Sequence, residues 1–135
     1  MDKKTVQVVA ALIWQGDRFL LCQRPENKAR GLLWEFVGGK VELGETEQQA
    51  LIRECREELD IGLEVGSLYR MLTHEYPDLR VHLSLYEARI LQGPPRLLEH
   101  RAMAWVTPRE AMEYPVCPAD VEILKALLKD AENRK

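Results

Sequence analysis

Three observations in the sequence predict an α/β (α+β) fold, a largely antiparallel sheet with helices laid on it. The run from Val6 to Trp14 is almost continuously apolar, as in a strand covered on both faces. Thr46 to Leu59 is built from Ala, Leu, Ile, Glu, Gln and Arg without Gly or Pro, the composition of a helix. Near the end, Val121, Leu124, Leu127 and Leu128 recur at helical spacing, so residues 118–129 are expected to pack an amphipathic helix on the sheet.

The remaining elements follow in chain order. Gly16-Asp17 supplies turn chemistry before Phe19 to Cys22, which reads as the second arm of a hairpin. Residues 25–31 are polar and broken by Pro and Gly, and Leu32 to Val37 is then a short strand ending at Gly38-Gly39, where a loop of demanding backbone geometry is expected to begin. Thr46 with Gln49 forms a capping-box pattern at the start of the central helix. Leu63 to Tyr76 and Arg80 to Leu91 are extended and separated by Pro77-Asp78. In the second, Val81, Leu83 and Leu85 alternate with Arg80, His82 and Ser84, and the two are expected to pair antiparallel. Gln92 to Pro95 marks a turn, Ala102 to Val106 a last strand, and Pro108 to Glu113 a short helix. No repeat, linker or low-complexity stretch interrupts this order, so one domain spanning 1–135 is expected.

Composition limits the function classes. A chain of 135 residues can bury roughly two-thirds of its unfolded surface. With 46% hydrophobic and 30% charged residues it has the balance of a globular protein, and no stretch approaches the roughly 20 apolar residues a membrane span needs. Lys3 and Lys4 precede an apolar run without a small-residue cleavage site, which argues against an export signal. Cys22, Cys55 and Cys117 are odd in number and contain no C-x-x-C pair. They read as core or near-core thiols in a reducing cytoplasm, not as a disulfide framework or a zinc site. A net charge of −3 creates no large positive field, so polymeric nucleic acid is disfavoured, whereas a small phosphorylated ligand held with a metal is compatible. His74, His82 and His100 lack metal-ligand spacing and read as strand or loop residues.

The central helix carries the chemistry. At 100° per residue, Leu51, Ile52, Cys55 and Leu59 share one face, while Glu54, Glu57 and Glu58 share an adjacent strip. Like charges so close raise one another's proton affinity, and a hard divalent cation such as Mg²⁺ between them relieves that repulsion. Ala50 falls in the same strip, where its small side chain would let a substrate or backbone approach. Arg53 can pair with Glu57 or reach back to Glu45 to brace the preceding loop. That loop, Gly38-Gly39-Lys40-Val41-Glu42-Leu43-Gly44-Glu45, can bring backbone groups close to an ion or phosphate.

Gly39, five residues, Glu45, seven residues, then Arg53-Glu54-Cys55-Arg56-Glu57-Glu58 resembles the Nudix box, G-x5-E-x7-R-E-U-x-E-E-x-G-U, where U is apolar. Six fixed positions match at the correct spacing. Asp60 stands in place of the final glycine and Ile61 fits the closing apolar position, so either Asp60 or Gly62 must adopt the left-handed helix end. The resemblance extends over nearly the whole chain and is nearest to the MutT-like branch, with its CTP pyrophosphohydrolases and 8-oxo-dGTP diphosphatases. It implies a Nudix α/β/α sandwich with a mixed, largely antiparallel sheet between helices, acting as a monomer or homodimer. It also implies Mg²⁺, with Mn²⁺ as a substitute, on Glu54, Glu57 and Glu58 aided by a Gly38 or Gly39 carbonyl. By the same resemblance, Glu54 or Glu99 is the general base, with Arg53 and Glu45 in the catalytic machinery. The implied products are a nucleoside monophosphate and pyrophosphate.

Arg24, Glu35, Phe36, Tyr76 and Asp120 match positions that surround the nucleotide in MutT-like relatives, with Gly38 and Lys40 completing the substrate set. Val37 replaces a proline of some relatives. Each has a plainer alternative: Phe36 and Tyr76 as core aromatics, Arg24 as a surface cation, Glu99 as a surface-loop acid, Asp120 as an acid in the first turn of the last helix. If Asp120 does read a base, an ionised carboxylate accepts hydrogen bonds and favours an edge with donors. The cytosine amino group makes CTP or dCTP the expected substrate, and a guanine-type edge keeps 8-oxo-dGTP in contention. Two other outcomes stand beside these, hydrolysis of nucleoside diphosphate sugars such as ADP-ribose, and a nucleotide sensor without turnover.

Overall fold

Strand β1 (Lys4–Gln15) runs through the middle of the sheet, and its neighbours explain why it is apolar on both faces. The structure, a computed structural model, describes residues 3–134. On one side β1 pairs in parallel with a strand distant in sequence, Leu79–Gln92, from Lys4 against Leu79 to Ile13 against Ala88. On the other it pairs antiparallel with β2 (Arg18–Gln23) through the Gly16-Asp17 hairpin, and with a second short strand, Gly38–Lys40. Numbered along the chain, β3 is Trp34–Glu35, β4 Gly38–Lys40, β5 Gly62–Glu75, β6 Leu79–Gln92 and β7 Ala102–Val106. Among the described residues they form one seven-stranded sheet in the order β3-β2-β1-β6-β5, with β4 added to β1 and β7 to β2. Strands β5 and β6 pair antiparallel, as their alternation predicts.

Successive β1 side chains go to opposite layers. Val9, Ala11 and Ile13 pack beneath helix α1 (Glu47–Leu59) with its Ala50, Leu51, Cys55 and Leu59. Ala10 and Leu12 pack with Phe19, Leu21 and Leu85 beneath helices α2 (Pro108–Ala111) and α3 (Pro118–Asn133), whose Ala111, Ile123, Leu124 and Leu127 are buried. The result is the helix–sheet–helix sandwich expected, held by burial of both sheet faces.

The structure departs from the sequence reading in four places. The expected strand at 32–37 shrinks to Trp34–Glu35, and Gly38 to Lys40 is a strand, not the start of a loop. Ile52 is 43% exposed, whereas Ala50 is fully buried, so Ala50 belongs to the core and leaves no opening for a substrate beside the acids. Ser84, on the polar side of its strand's alternation, is buried because α1 covers that face. The α1 end is settled at Asp60, which takes the left-handed conformation (φ 56°, ψ 41°) and donates its N–H to Arg56 O, while Gly62 begins β5.

A local cap and three long-range hydrogen bonds fix the start of α1. Thr46 and Gln49 complete the capping box. Glu47 accepts hydrogen bonds from Gln7 Nε2 (2.9 Å), Ser84 Oγ (3.1 Å) and Tyr86 OH (2.5 Å), tying the helix start to β1 and β6. At the other end of the strip, β4 lies so close to β1 that a Cβ on Gly38 would stand 2.0 Å from the Val9 carbonyl oxygen. Because that obstacle is backbone, Gly38→Ala is expected to destabilise the protein by about 3 kcal/mol, read as a lower urea midpoint.

Candidate active site

Arg53 fastens the glycine-bearing segment to α1. Its guanidinium makes a two-pronged contact with Glu45 (Nε to Oε2 2.7 Å, Nη2 to Oε1 3.0 Å), donates to Lys40 O at 3.0 Å, and reaches Glu57 Oε1 at 3.1 Å. Both partners anticipated for Arg53 are therefore engaged at once. Hydrogen bonds from Arg53, and then from the Glu42 N–H, hold Glu45 below the ordinary carboxylate range. The segment from Lys40 to Glu45 is thus pinned to the helix that presents the acids.

Gly39 lies against the Glu54 carboxylate so closely that a Cβ there would be 2.1 Å from Oε2. Glu54 and Glu58 are adjacent and mostly shielded, with side-chain exposures of 14% and 15%, whereas Glu57 is 53% exposed and turned to Arg53. Burial pushes Glu58 up to about 9, and the charges of Glu54, Glu35 and Glu99 push the same way. Burial also raises Glu54, with a further push from Glu57. Among the described residues no three acid, His or Cys side chains are drawn together as a ready metal cage. The three glutamates share one helix edge, but only Glu54 and Glu58 face each other.

All three line a cleft of about 430 Å³, together with Gly38, Gly39 and Lys40. The exposed Glu99 stands on its rim. The same cleft takes in the residues matched to nucleotide contacts. Arg24 donates to Glu35 Oε1 at 2.9 Å and to Ala29 O at 2.9 Å, and both partners of this ion pair are about one-fifth exposed. Asp120, in the first turn of α3, is buried, and that burial, with the nearby negative Glu35, holds its carboxyl well above the usual aspartate range against the pull of Arg24.

The two aromatics sit deeper than a stacking platform would. Phe36 is 4% exposed and stacks on Phe19 at 5.7 Å. Tyr76 is 7% exposed, accepts the Ala119 N–H through its hydroxyl at 3.0 Å, and carries the Arg30 guanidinium over its ring at 4.1 Å. Both touch the cleft while serving the core, and Tyr76 fixes the start of α3 beside Asp120. Glu45 and Arg53 brace the site from outside the cleft lining.

Sequence reasoning passed over several cleft residues. Val8, Val81 and Leu83 supply an apolar floor created by the parallel β1–β6 pairing, where Val6 meets Val81 and Val8 meets Leu83. Arg30 joins from a loop in which both it and Leu32 have positive φ. His100, a loop residue as expected, is buried and lines the cleft with Nε2 3.0 Å from Glu35 Oε2. Its position immediately after Glu99 was the available signal. The three cysteines are buried and free, and among the described residues no helix is long and apolar enough to cross a membrane.

The fold and cleft define a Nudix-type architecture with the acids of the box turned to one side. Residues 8–126 match the model of the NUDIX domain. The chain is 41% identical over 125 residues to a CTP pyrophosphohydrolase of Escherichia coli, covering 93% of each sequence. It is 40% identical over 117 residues to a putative 8-oxo-dGTP diphosphatase 2 of Mycobacterium tuberculosis, covering 84% of this chain and 81% of that one. A MutT protein from Methanosarcina mazei superposes with a TM-score of 0.86 at 26% identity, over 100% of this chain and 99% of that one. This chain belongs to the NUDIX domain family, as the box spacing implied.

Burial of Asp120 has a measurable consequence. The unfolded chain releases this proton near pH 4, whereas the folded protein retains it to higher pH, so the native state binds more protons and stability falls as pH rises between the two values. Asp120→Asn removes that slope. The variant is expected to match the parent near pH 4 and to exceed it in urea midpoint at pH 8.

Proposed function

We propose that this protein is a Mg²⁺-dependent pyrophosphohydrolase that converts nucleoside triphosphates to the monophosphate and pyrophosphate, with CTP or dCTP and oxidised nucleotides such as 8-oxo-dGTP as its substrates. The observation that carries the reading is one cleft with an acid cluster at one end and, at the other, the buried carboxyl group of Asp120, whose carbonyl oxygen accepts a hydrogen bond with or without its proton. The relatives of closely similar length named for these activities support the substrate class. The reading places the protein in the cytoplasm, in keeping with three unpaired buried thiols.

The donor set suits a hard divalent cation. Glu58 Oε1 is buried without a hydrogen-bond partner among the described residues, and Glu54 and Glu58 both hold protons more tightly than ordinary carboxyls. A cation substituting for the retained proton would remove both penalties. Glu54, Glu57 and Glu58 would hold it with a carbonyl of Gly38 or Gly39, Glu57 exchanging its Arg53 contact for the ion. When bound, Mg²⁺ neutralises phosphate oxygens and makes the phosphoanhydride more electrophilic.

The chain's own groups supply the rest. Arg53 keeps Glu45 and the Lys40 carbonyl in register with α1, so that the β4 backbone and the acids face one another. Glu54 or Glu99 takes the proton of the attacking water. Lys40 faces the cleft as a phosphate counter-charge. Val8, Val81 and Leu83 seat the base, and Asp120, beside the Arg24–Glu35 ion pair, reads its edge.

Glu54→Gln and Glu57→Gln are each expected to lower kcat by about 100-fold or more while leaving the unfolding free energy, read from urea titration, within about 1 kcal/mol of the parent. Pyrophosphate release at near-parental rates from both variants would refute the assignment. Substrate choice is tested with a panel of normal, methylated and oxidised triphosphates, with ADP-ribose included, ranked by kcat/KM in Mg²⁺. A clear preference for CTP or 8-oxo-dGTP is expected, and Asp120→Ala should flatten that ranking more than it lowers the best rate. No hydrolysis of any member, followed as the monophosphate product, would leave a nucleotide sensor in place of an enzyme.

A further inference from the structure

His100 stands between the two halves of the cleft. Its side chain is 5% exposed, and its Nε2 lies 3.0 Å from Glu35 Oε2, while the other oxygen of Glu35 takes Arg24 Nη1 at 2.9 Å. On the far edge of the ring, Nδ1 is buried without a hydrogen-bond partner among the described residues. It faces Glu58 Oε1, which is buried and unpartnered in the same way, across 3.9 Å.

Native proteins leave few buried polar atoms unpaired, because each forgoes water without recompense. Here two such atoms face each other. Closing the gap by about 1 Å makes a hydrogen bond in which one proton serves both. The ring is not free to do the moving. Nε2 is engaged by Glu35, and the next residue's N–H, that of Arg101, bonds Gln23 O at 2.9 Å, holding the backbone to β2. The mobile partner is therefore the Glu58 side chain, which swings about its own carbon chain.

We infer that His100 is a positioning residue that sets the spacing between the nucleoside end and the metal end of the cleft, holding Glu35 through Nε2 and Glu58 through Nδ1. This rests on the proposed reading of Glu58 as a metal ligand and Glu35 as a nucleoside contact, and adds a residue that the acid box does not contain. An imidazole suits the task because its two nitrogens sit on opposite edges of one rigid ring. Partners that hydrogen-bond a ligating carboxylate orient it and tune metal affinity without touching the metal. Seen from the other end, a nucleoside that draws on Glu35 is sensed at Glu58 through the same ring.

The two nitrogens can be tested separately with the full-length protein. The amide of His100→Gln reaches the Nε2 position and leaves Nδ1 empty, and His100→Asn does the reverse. Mn²⁺ binding without nucleotide is read from the electron paramagnetic resonance signal of the free ion, and kcat and KM are measured with CTP in saturating Mg²⁺. His100→Gln is expected to weaken Mn²⁺ binding about tenfold while KM stays within about threefold of the parent. His100→Asn is expected to keep Mn²⁺ affinity within about threefold while KM for CTP rises about tenfold. Urea midpoints accompany each measurement. Parallel losses of both quantities that track stability, unfolding of both variants, or no change in either quantity overturns the inference. A parent protein that binds Mn²⁺ and hydrolyses CTP while its variants fail to separate refutes the positioning role alone. A parent that does neither refutes the metal-dependent reading and this inference with it.

Discussion

Between strand β1 and the Glu54 carboxylate there is room for bare backbone and little else. Gly38 meets the Val9 carbonyl and Gly39 meets the Glu54 side chain, and in each case a methyl group would stand within about 2 Å of an oxygen. This close passage lets β4 join the sheet and then turn directly along α1, so that Arg53 can grasp Lys40 O and Glu45 together. Widening the passage would move the acids away from the backbone that faces them. The cleft, the bracing arginine and the exposure of each glutamate all descend from that one steric limit.

The electrostatics of the cleft oppose its stability. Burial, and then the charges of Glu54, Glu35 and Glu99, raise the cost of ionising Glu58, while Arg53 beside Glu54 and Arg24 beside Glu35 offset only part of the cleft's excess negative charge. A helix carrying such a strip must be held down by other means. The capping box, the three hydrogen bonds onto Glu47 and the packing of Leu51, Cys55 and Leu59 do this on the face turned away from the acids. Stability is supplied by one side of α1 and spent on the other, the usual relation between a scaffold and the strained groups it presents.

At the Asp120 end of the cleft, large aromatic residues act mainly as supports. Phe36 completes a stack with Phe19, and Tyr76 anchors Ala119, which places Asp120 at the cleft instead of in solvent. The apolar floor comes from smaller residues, Val8, Val81 and Leu83, side by side on parallel strands. Aromatic type alone was therefore a weak guide to what a ligand would touch, and burial was the better one.

What could be read from the sequence was local. Helical periodicity, the Thr46–Gln49 cap, the hairpin at Gly16-Asp17 and the placing of Glu54, Glu57 and Glu58 on one edge depend on residues within a few positions of each other, whose geometry the α-helix and tight turn dictate. Box spacing added the family, since it records which local pieces occur together. Tertiary structure decided the rest. It set the parallel β1–β6 pairing, turned Gly38 to Lys40 into a strand, buried Ala50 and left Ile52 outside, sent Glu57 to Arg53, and set His100 between Glu35 and Glu58. Each of these outcomes joins residues far apart in the chain or follows from which face another layer covers, and no short-range pattern encodes a contact whose partner is supplied only when the layers close.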